Sequence, residues 1–172
     1  MQDFELLSAT AEAVVEKLKT YGLTVSFAES CTGGLLAKTL TDVPGASDVF
    51  ECGIVAYSET VKHRVLGVPS DTLADYGVVS PETALAMARG VRALSGADFG
   101  IGITGVAGPG PDGDHPEGEI YIALTDKTTD AVFLMEDRTE NARTLHRTET
   151  ALQALRMLDE RLDGGSPWPK TN

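Results

Sequence analysis

The stretch Leu23-Thr24-Val25-Ser26-Phe27-Ala28-Glu29-Ser30-Cys31-Thr32-Gly33-Gly34-Leu35-Leu36-Ala37-Lys38-Thr39-Leu40 changes character in its middle. Leu23 to Phe27 is a β-branched and aromatic run, Glu29 to Gly34 is a polar turn ending in two glycines, and Leu35 to Leu40 is largely apolar. This predicts strand, tight turn and helix. The alternation continues outward in both directions. Upstream, Phe4, Leu7, Ala11, Val14, Val15 and Leu18 recur at helical spacing, predicting an amphipathic helix from Asp3 to Thr20 that Tyr21-Gly22 ends. Downstream, Val43-Pro44-Gly45-Ala46-Ser47 breaks the pattern, Val49 to Tyr57 is a second strand candidate, and Ser58 is placed to cap a helix running to Leu66.

Val68-Pro69 interrupts, and a short helix is expected over Asp71 to Tyr76. Ser80-Pro81-Glu82 then supplies a cap, a proline at the first helical position and an acidic first turn, predicting a helix from Pro81 to Leu94. Phe99 to Thr104 has the composition of a buried strand and runs into Gly105 to Gly113, a loop dominated by Gly and Pro. Gly118 to Thr125 and Asp130 to Met135 alternate as an antiparallel pair around Lys127, so the sheet is mixed. A last helix is expected from Thr139 to Leu162. The pattern predicts an α/β fold, a three-layer α/β/α sandwich around a mixed sheet of about five strands. One domain over residues 1–163 is expected, with 164–172 a disordered tail.

A net charge of −12 excludes a basic surface for nucleic acid. No apolar run approaches the roughly 18 residues that cross a bilayer, and the N-terminus is acidic rather than signal-like, so no membrane association and a cytoplasmic location are expected. Cys31 and Cys52 fall in different elements without a second pair, which predicts free thiols. Acidic pairs such as Asp112 with Asp114 arise freely among 26 acids, so no metal is assigned. A symmetric dimer through the first helix or the Asp130 to Met135 strand is compatible with this reading.

Ligands of parallel α/β sheets gather at the carboxyl ends of the strands, here after Phe27, Tyr57 and Thr104. At the first of these, a nucleophile in Ser30-Cys31-Thr32 would have amides of Gly33 and Gly34 beside it, whereas the plainer reading makes Ser30 or Thr32 a helix cap. From the turn alone the plainer reading is favoured. Cys31 as nucleophile needs a histidine partner, and His63, His115 and His146 offer no local carboxylate pattern, so a small buried thiol is favoured. Ser30 admits a non-histidine base, and Lys62 is one of six lysines, one turn into the helix after the second strand. It serves only if burial or a neighbouring cation lowers its pKa, and Tyr57 could relay the proton. Taken singly, Lys62 reads as an ordinary solvated lysine. The loop Thr104 to Gly113 suits close approach of backbone amides to an anion but matches neither nucleotide-binding glycine motif, so no ATP site is assigned.

The ordered series Ala28-Glu29-Ser30-Cys31-Thr32-Gly33-Gly34, Val43-Pro44-Gly45-Ala46-Ser47, Tyr57 with Lys62, Gly77-Val78-Val79-Ser80, and Thr104-Gly105-Val106-Ala107-Gly108-Pro109 closely resembles the CinA C-terminal domain family, from about Phe4 to Leu162. The resemblance implies an anticodon-binding-domain-like sandwich and, from the amidases in that family, hydrolysis of the carboxamide of nicotinamide mononucleotide to nicotinate mononucleotide and ammonia without a cofactor. It implies Ser30 as acyl-forming nucleophile, Lys62 as its base and Tyr57 as third participant in proton transfer. Thr32, Gly33 and Gly34 are then expected at the oxyanion, and Thr104, Gly105, Ala107 and Gly108 at ribose or phosphate, with Arg138 and Arg143 as candidate phosphate ligands. Two departures bear on the substrate. His115-Pro116-Glu117-Gly118 stands where members often have Lys-Pro-Val-Gly, which removes an expected cation, and Arg143 falls one residue later than the pattern expects. The family's larger architecture adds an N-terminal domain for which this chain has no room, so a stand-alone amidase module is expected. An amidase of another carboxamide and a non-catalytic nucleotide-binding or partner-binding module are the competing readings.

Overall fold

The structure is a computed structural model that describes residues 2–164 except 138, with the side chains of 2 and 3 outside the description. The elements are α1 (Gln2–Tyr21), β1 (Val25–Glu29), α2 (Leu35–Thr41), β2 (Phe50–Val55), α3 (Glu59–Leu66), α4 (Ser70–Tyr76), α5 (Pro81–Ser95), β3 (Phe99–Gly105), β4 (Glu119–Thr125), β5 (Asp130–Glu136) and α6 (Arg143–Leu162). The sheet order is β2-β1-β3-β4-β5. β1 runs parallel to both β2 and β3, and β4 is antiparallel to β3 and β5, so the sheet is mixed as expected. β1, buried at every residue, sits inside the sheet beside β3, as its lack of polar alternation requires.

Helices α1, α2 and α6 cover one face and α3, α4 and α5 the other. On the first face Leu7, Val14 and Leu18 of α1 and Leu155 and Leu158 of α6 pack with Phe27, Ile101 and Ile103. On the second, Met87 and Val91 of α5 pack with Ala28, Ala56 and Leu66. The sequence Phe99-Gly100-Ile101-Gly102-Ile103 explains how α5 lies so close. Its isoleucines face the α1/α6 side, and a Cβ at Gly102 would stand 2.2 Å from the Ala84 carbonyl oxygen of α5.

Three of the element boundaries shift for a visible reason. β1 starts at Val25 rather than Leu23, because the Leu23 amide still closes α1 on the Leu18 carbonyl and the Thr24 amide donates to Asp98 Oδ2. β2 stops at Val55 because Ala56 and Tyr57 lead the chain into α3. α6 starts at Arg143 rather than Thr139, because Asn141 takes a left-handed φ of 57° and the Ala142 amide is held by Glu117 Oε1 at 3.1 Å. The expected tail lies outside the described residues except for Asp163-adjacent Gly164.

Candidate active site

The three parallel strands end on one edge of the sheet, and each exit is tied to its neighbour. The Ser30 amide donates to Ile103 O at 3.0 Å and the Ala56 amide to Glu29 O at 2.8 Å. These bonds bring Ser30 beside the segment that leads into α3. Ser58 caps that helix by accepting from the Val61 amide at 3.3 Å. Lys62, in the first turn, is thereby directed under the sheet edge, where it is 2% exposed. Its Nζ lies 2.9 Å from Ser30 Oγ and 2.9 Å from Ala56 O. Burial holds the Lys62 pKa below the ordinary lysine value, against a smaller opposite pull from Cys31 and Glu59. An amine that is easily neutralised and hydrogen-bonded to a serine is a serine-lysine pair poised for proton transfer.

Cys31 faces the same space but has the opposite electrostatics. Burial pushes its thiol up to about 12, outweighing its contacts with backbone amides and the proximity of Lys62. No histidine is hydrogen-bonded to Cys31 among the described residues. His63 Nδ1 is 2.8 Å from Val68 O, His115 Nδ1 is 3.0 Å from Glu119 Oε1, and His146 Nδ1 is 3.0 Å from Ala107 O. Cys31 is therefore the small buried thiol that the sequence favoured.

Neither Ser30 nor Thr32 caps α2. The cap is Glu29, whose Oε2 accepts from the Gly34 and Leu36 amides at 3.0 and 3.1 Å and whose Oε1 accepts from Ala37 at 2.8 Å. A carboxylate at the positive end of a helix satisfies three donors at once. This corrects the expectation that Gly33 and Gly34 present free amides. Gly34 is held by Glu29, and the Gly33 amide donates to Ser30 O at 3.0 Å. Among the described residues the amides of Cys31 and Thr32 donate to no backbone carbonyl, and their neighbour is the Cys31 sulfur itself. Thr32 Oγ1 is buried without a partner there.

A cleft of about 440 Å³ opens above the pair, and Tyr57, Thr104, Gly105, Ala107, Gly108 and Arg143 line it with Ser30 and Lys62. That volume is in the range of small-molecule sites. Thr32, Gly33 and Gly34 are not among the lining residues, and Arg138 lies outside the described residues. Tyr57 is exposed, and its hydroxyl accepts from Arg143 Nη2 at 3.3 Å. Arg143 Nη1 donates to Gly108 O at 2.6 Å, so this one guanidinium links the tyrosine to the glycine loop. Thr104 is not oriented toward a ligand by its hydroxyl, which donates to Val78 O at 2.6 Å.

Over residues 7–162 the sequence matches the CinA C-terminal domain. The chain belongs to that family. A CinA-like protein of Desulfovibrio desulfuricans is 51% identical over 129 residues, 74% of this chain and 30% of that protein. A CinA-like protein of Geobacter sulfurreducens is 46% identical over 151 residues, 87% of this chain and 36% of that protein. The chain thus spans about a third of the length of these curated relatives. The crystal structure of the competence/damage inducible protein CihA from Agrobacterium tumefaciens has a TM-score of 0.86 at 37% identity, covering 92% of this chain and 96% of that one. A CinA superfamily protein from Escherichia coli has a TM-score of 0.82 at 28% identity, covering 87% and 86%.

In this CinA domain several residues to which the sequence reading assigned no role brace the site. Glu117 braces the glycine loop: its Oε2 accepts from the Gly110 amide at 2.7 Å and its Oε1 from Ala142. The His115 to Gly118 segment, read as the place of a missing cation, is thus an internal strut in which His115 and Glu117 both have partners within the fold. His146 is fully buried under the loop, with Nε2 facing Asp137 Oδ2 at 3.3 Å without hydrogen-bond alignment. Arg147 reaches the Ser30 turn from α6. Their signals in sequence are single polar residues in a chain rich in them. No helix is long and apolar enough to cross a membrane, and no cluster suited to a metal ion occurs among the described residues.

Proposed function

We propose that this CinA domain is a serine-type amidohydrolase that converts nicotinamide mononucleotide to nicotinate mononucleotide and ammonia. The observation that carries the reading is the contact of Lys62 Nζ with Ser30 Oγ at 2.9 Å, buried at the floor of a cleft and with the lysine pKa lowered. Neutral Lys62 takes the Ser30 proton as Oγ attacks the carboxamide carbon. The Ala56 carbonyl accepts one of the amine's N–H groups and so aims the lone pair at the serine. The amides of Cys31 and Thr32, one and two residues beyond the nucleophile, receive the developing oxyanion. Protonation from the Lys62 and Tyr57 side lets ammonia leave, and water, deprotonated by the same amine, releases the carboxylate. The Thr104 to Gly108 backbone and Arg143 meet the ribose phosphate at the cleft rim.

Ammonia release from nicotinamide mononucleotide is measured with wild type, Ser30→Ala and Cys31→Ala, at low and at high salt because of the −12 charge. Release by wild type and Cys31→Ala but not by Ser30→Ala supports the reading. No release by wild type at either salt overturns the substrate. If the mononucleotide nevertheless raises the melting temperature of an inactive wild type, the domain is a binding module.

A further inference from the structure

The nucleophile turn is anchored at both ends by groups distant in sequence. At its start the Ser30 amide is held on Ile103 O at 3.0 Å. At its far side the Thr32 carbonyl accepts from Arg147 Nε at 3.1 Å and from Arg147 Nη2 at 2.7 Å. Leu35 donates to the same oxygen at 3.2 Å. Among the described residues the Arg147 guanidinium forms hydrogen bonds to this carbonyl only. Gly33 permits the approach: its φ is +61°, and a Cβ there would stand 3.3 Å from Arg147 Nη2.

Between the two anchors lie the amides of Cys31 and Thr32, which meet no backbone carbonyl and have only the Cys31 sulfur beside them. Their neighbours are committed: Gly33 to Ser30 O, Gly34, Leu36 and Ala37 to Glu29, and Leu35 to Thr32 O. Fixing the Thr32 carbonyl restricts the backbone rotations that aim these two remaining donors. A forked guanidinium does this better than an ammonium because its two parallel N–H groups define a direction as well as a distance.

We propose that Arg147 is a positioning residue of the reaction, holding the Ser30 turn so that the Cys31 and Thr32 amides point at the oxyanion. It touches neither substrate nor reacting atoms and acts through the Thr32 carbonyl. The inference rests on the serine amidohydrolase reading above. A purely structural Arg147 would dock α6 on the turn and affect folding without singling out the chemical step.

The test compares wild type, Arg147→Gln and Arg147→Lys in three measurements: kcat and KM for ammonia release from nicotinamide mononucleotide, melting temperature, and the rate of Ser30 phosphonylation by a fluorophosphonate. In the last reaction Ser30 Oγ bonds to phosphorus, fluoride leaves, and the serine proton passes to Lys62. Its crowded, negatively charged transition state needs the same donors but not the natural substrate. Misaimed donors cost on the order of 10- to 100-fold in rate. Arg147→Gln is expected to lower kcat and the phosphonylation rate together by that factor, with KM within about twofold of wild type. Arg147→Lys, keeping one donor, recovers part of both rates, and it carries the test if Arg147→Gln does not fold. Rates within twofold of wild type in the folded variants overturn the proposal. So does a change confined to KM or melting temperature. If wild type phosphonylates at Ser30 yet releases no ammonia, the substrate reading fails while the phosphonylation rates still decide the role of Arg147. If wild type does neither, both fall.

Discussion

Lys62 Nζ sits 2.9 Å from Ser30 Oγ and, on its other side, 2.9 Å from the carbonyl oxygen of Ala56. The carbonyl can only accept, so the amine that it holds is oriented whether charged or neutral. Because burial lowers the Lys62 pKa in the fold below the ordinary 10.5, the unfolded chain binds this proton more tightly than the native one. Native stability therefore rises with pH between the folded value and 10.5. Activity should rise with pH along a limb whose midpoint lies below 10.5, and Lys62→Met should abolish it. The stability of Lys62→Met relative to wild type should fall as pH approaches 10.5, because only wild type gains by deprotonation. A pH-rate profile and denaturant melts from neutral to alkaline pH check this, and a limb at the ordinary lysine value would contradict it.

Glu29 is 1% exposed, and its carboxylate satisfies three amides at the start of α2. Glu29→Ala should cost about 2–4 kcal/mol, as the loss of a helix cap combined with charge-assisted hydrogen bonds. Glu29→Gln should cost less, since one amide oxygen still accepts while the bonds to its second oxygen are lost. Urea denaturation gives both values. Near-zero cost for Glu29→Ala would mean that water replaces the carboxylate.

The Gly110 amide donating to Glu117 keeps the Glu117 carboxyl below its usual value near 4.5, with the Asn141 and Ala142 amides adding to the effect. A depressed carboxylate contributes stability that is present above the unfolded pKa and lost as pH falls through the folded one. The loop should therefore loosen below about pH 4.5 in wild type. Glu117→Gln should loosen it at neutral pH. Faster proteolytic cleavage between Gly108 and Gly113, with a raised KM, is the expected result. Equal cleavage rates in the two proteins would show that the brace is not needed.

At Gly102 an added Cβ would stand 2.2 Å from Ala84 O and 2.6 Å from the Ala88 amide nitrogen, both backbone atoms of α5. Since backbone cannot step aside like a side chain, Gly102→Ala should destabilise by about 3 kcal/mol or more. The same change at Gly67, where nothing lies within 4 Å but φ is +68°, should cost about 1 kcal/mol through backbone strain alone. Thermal melts of the two variants distinguish packing from conformation, and equal losses would refute the packing account.

Ser80-Pro81-Glu82 reads as a helix start from local chemistry, and Ser80 Oγ does accept from the Thr83 amide at 3.1 Å. The Ser58 cap was legible in the same way. Thr139 to Ala142 read as helix because their composition allows it, but Glu117, 25 residues from Ala142 in sequence, takes the amide there and the helix begins later. From the turn alone Ser30 or Thr32 likewise read as the cap, whereas Glu29 holds the α2 amides. Lys62 by itself resembled any solvated lysine, and only the family motifs raised it to a candidate base.

The amino-acid sequence by itself determined the kinds of element and their order, because hydrophobic period, capping residues and glycine or proline breaks act over a few residues. It also carried the motifs that mark the CinA family. Tertiary structure decided which amides of the Ser30 turn meet no backbone carbonyl, that Lys62 is buried against Ser30 and Ala56, and that Arg147, 115 residues from Thr32, holds the Thr32 carbonyl. Those outcomes depend on which groups the packed sheet and helices bring within about 3 Å and on how much water they exclude, and neither quantity is local to any stretch of chain.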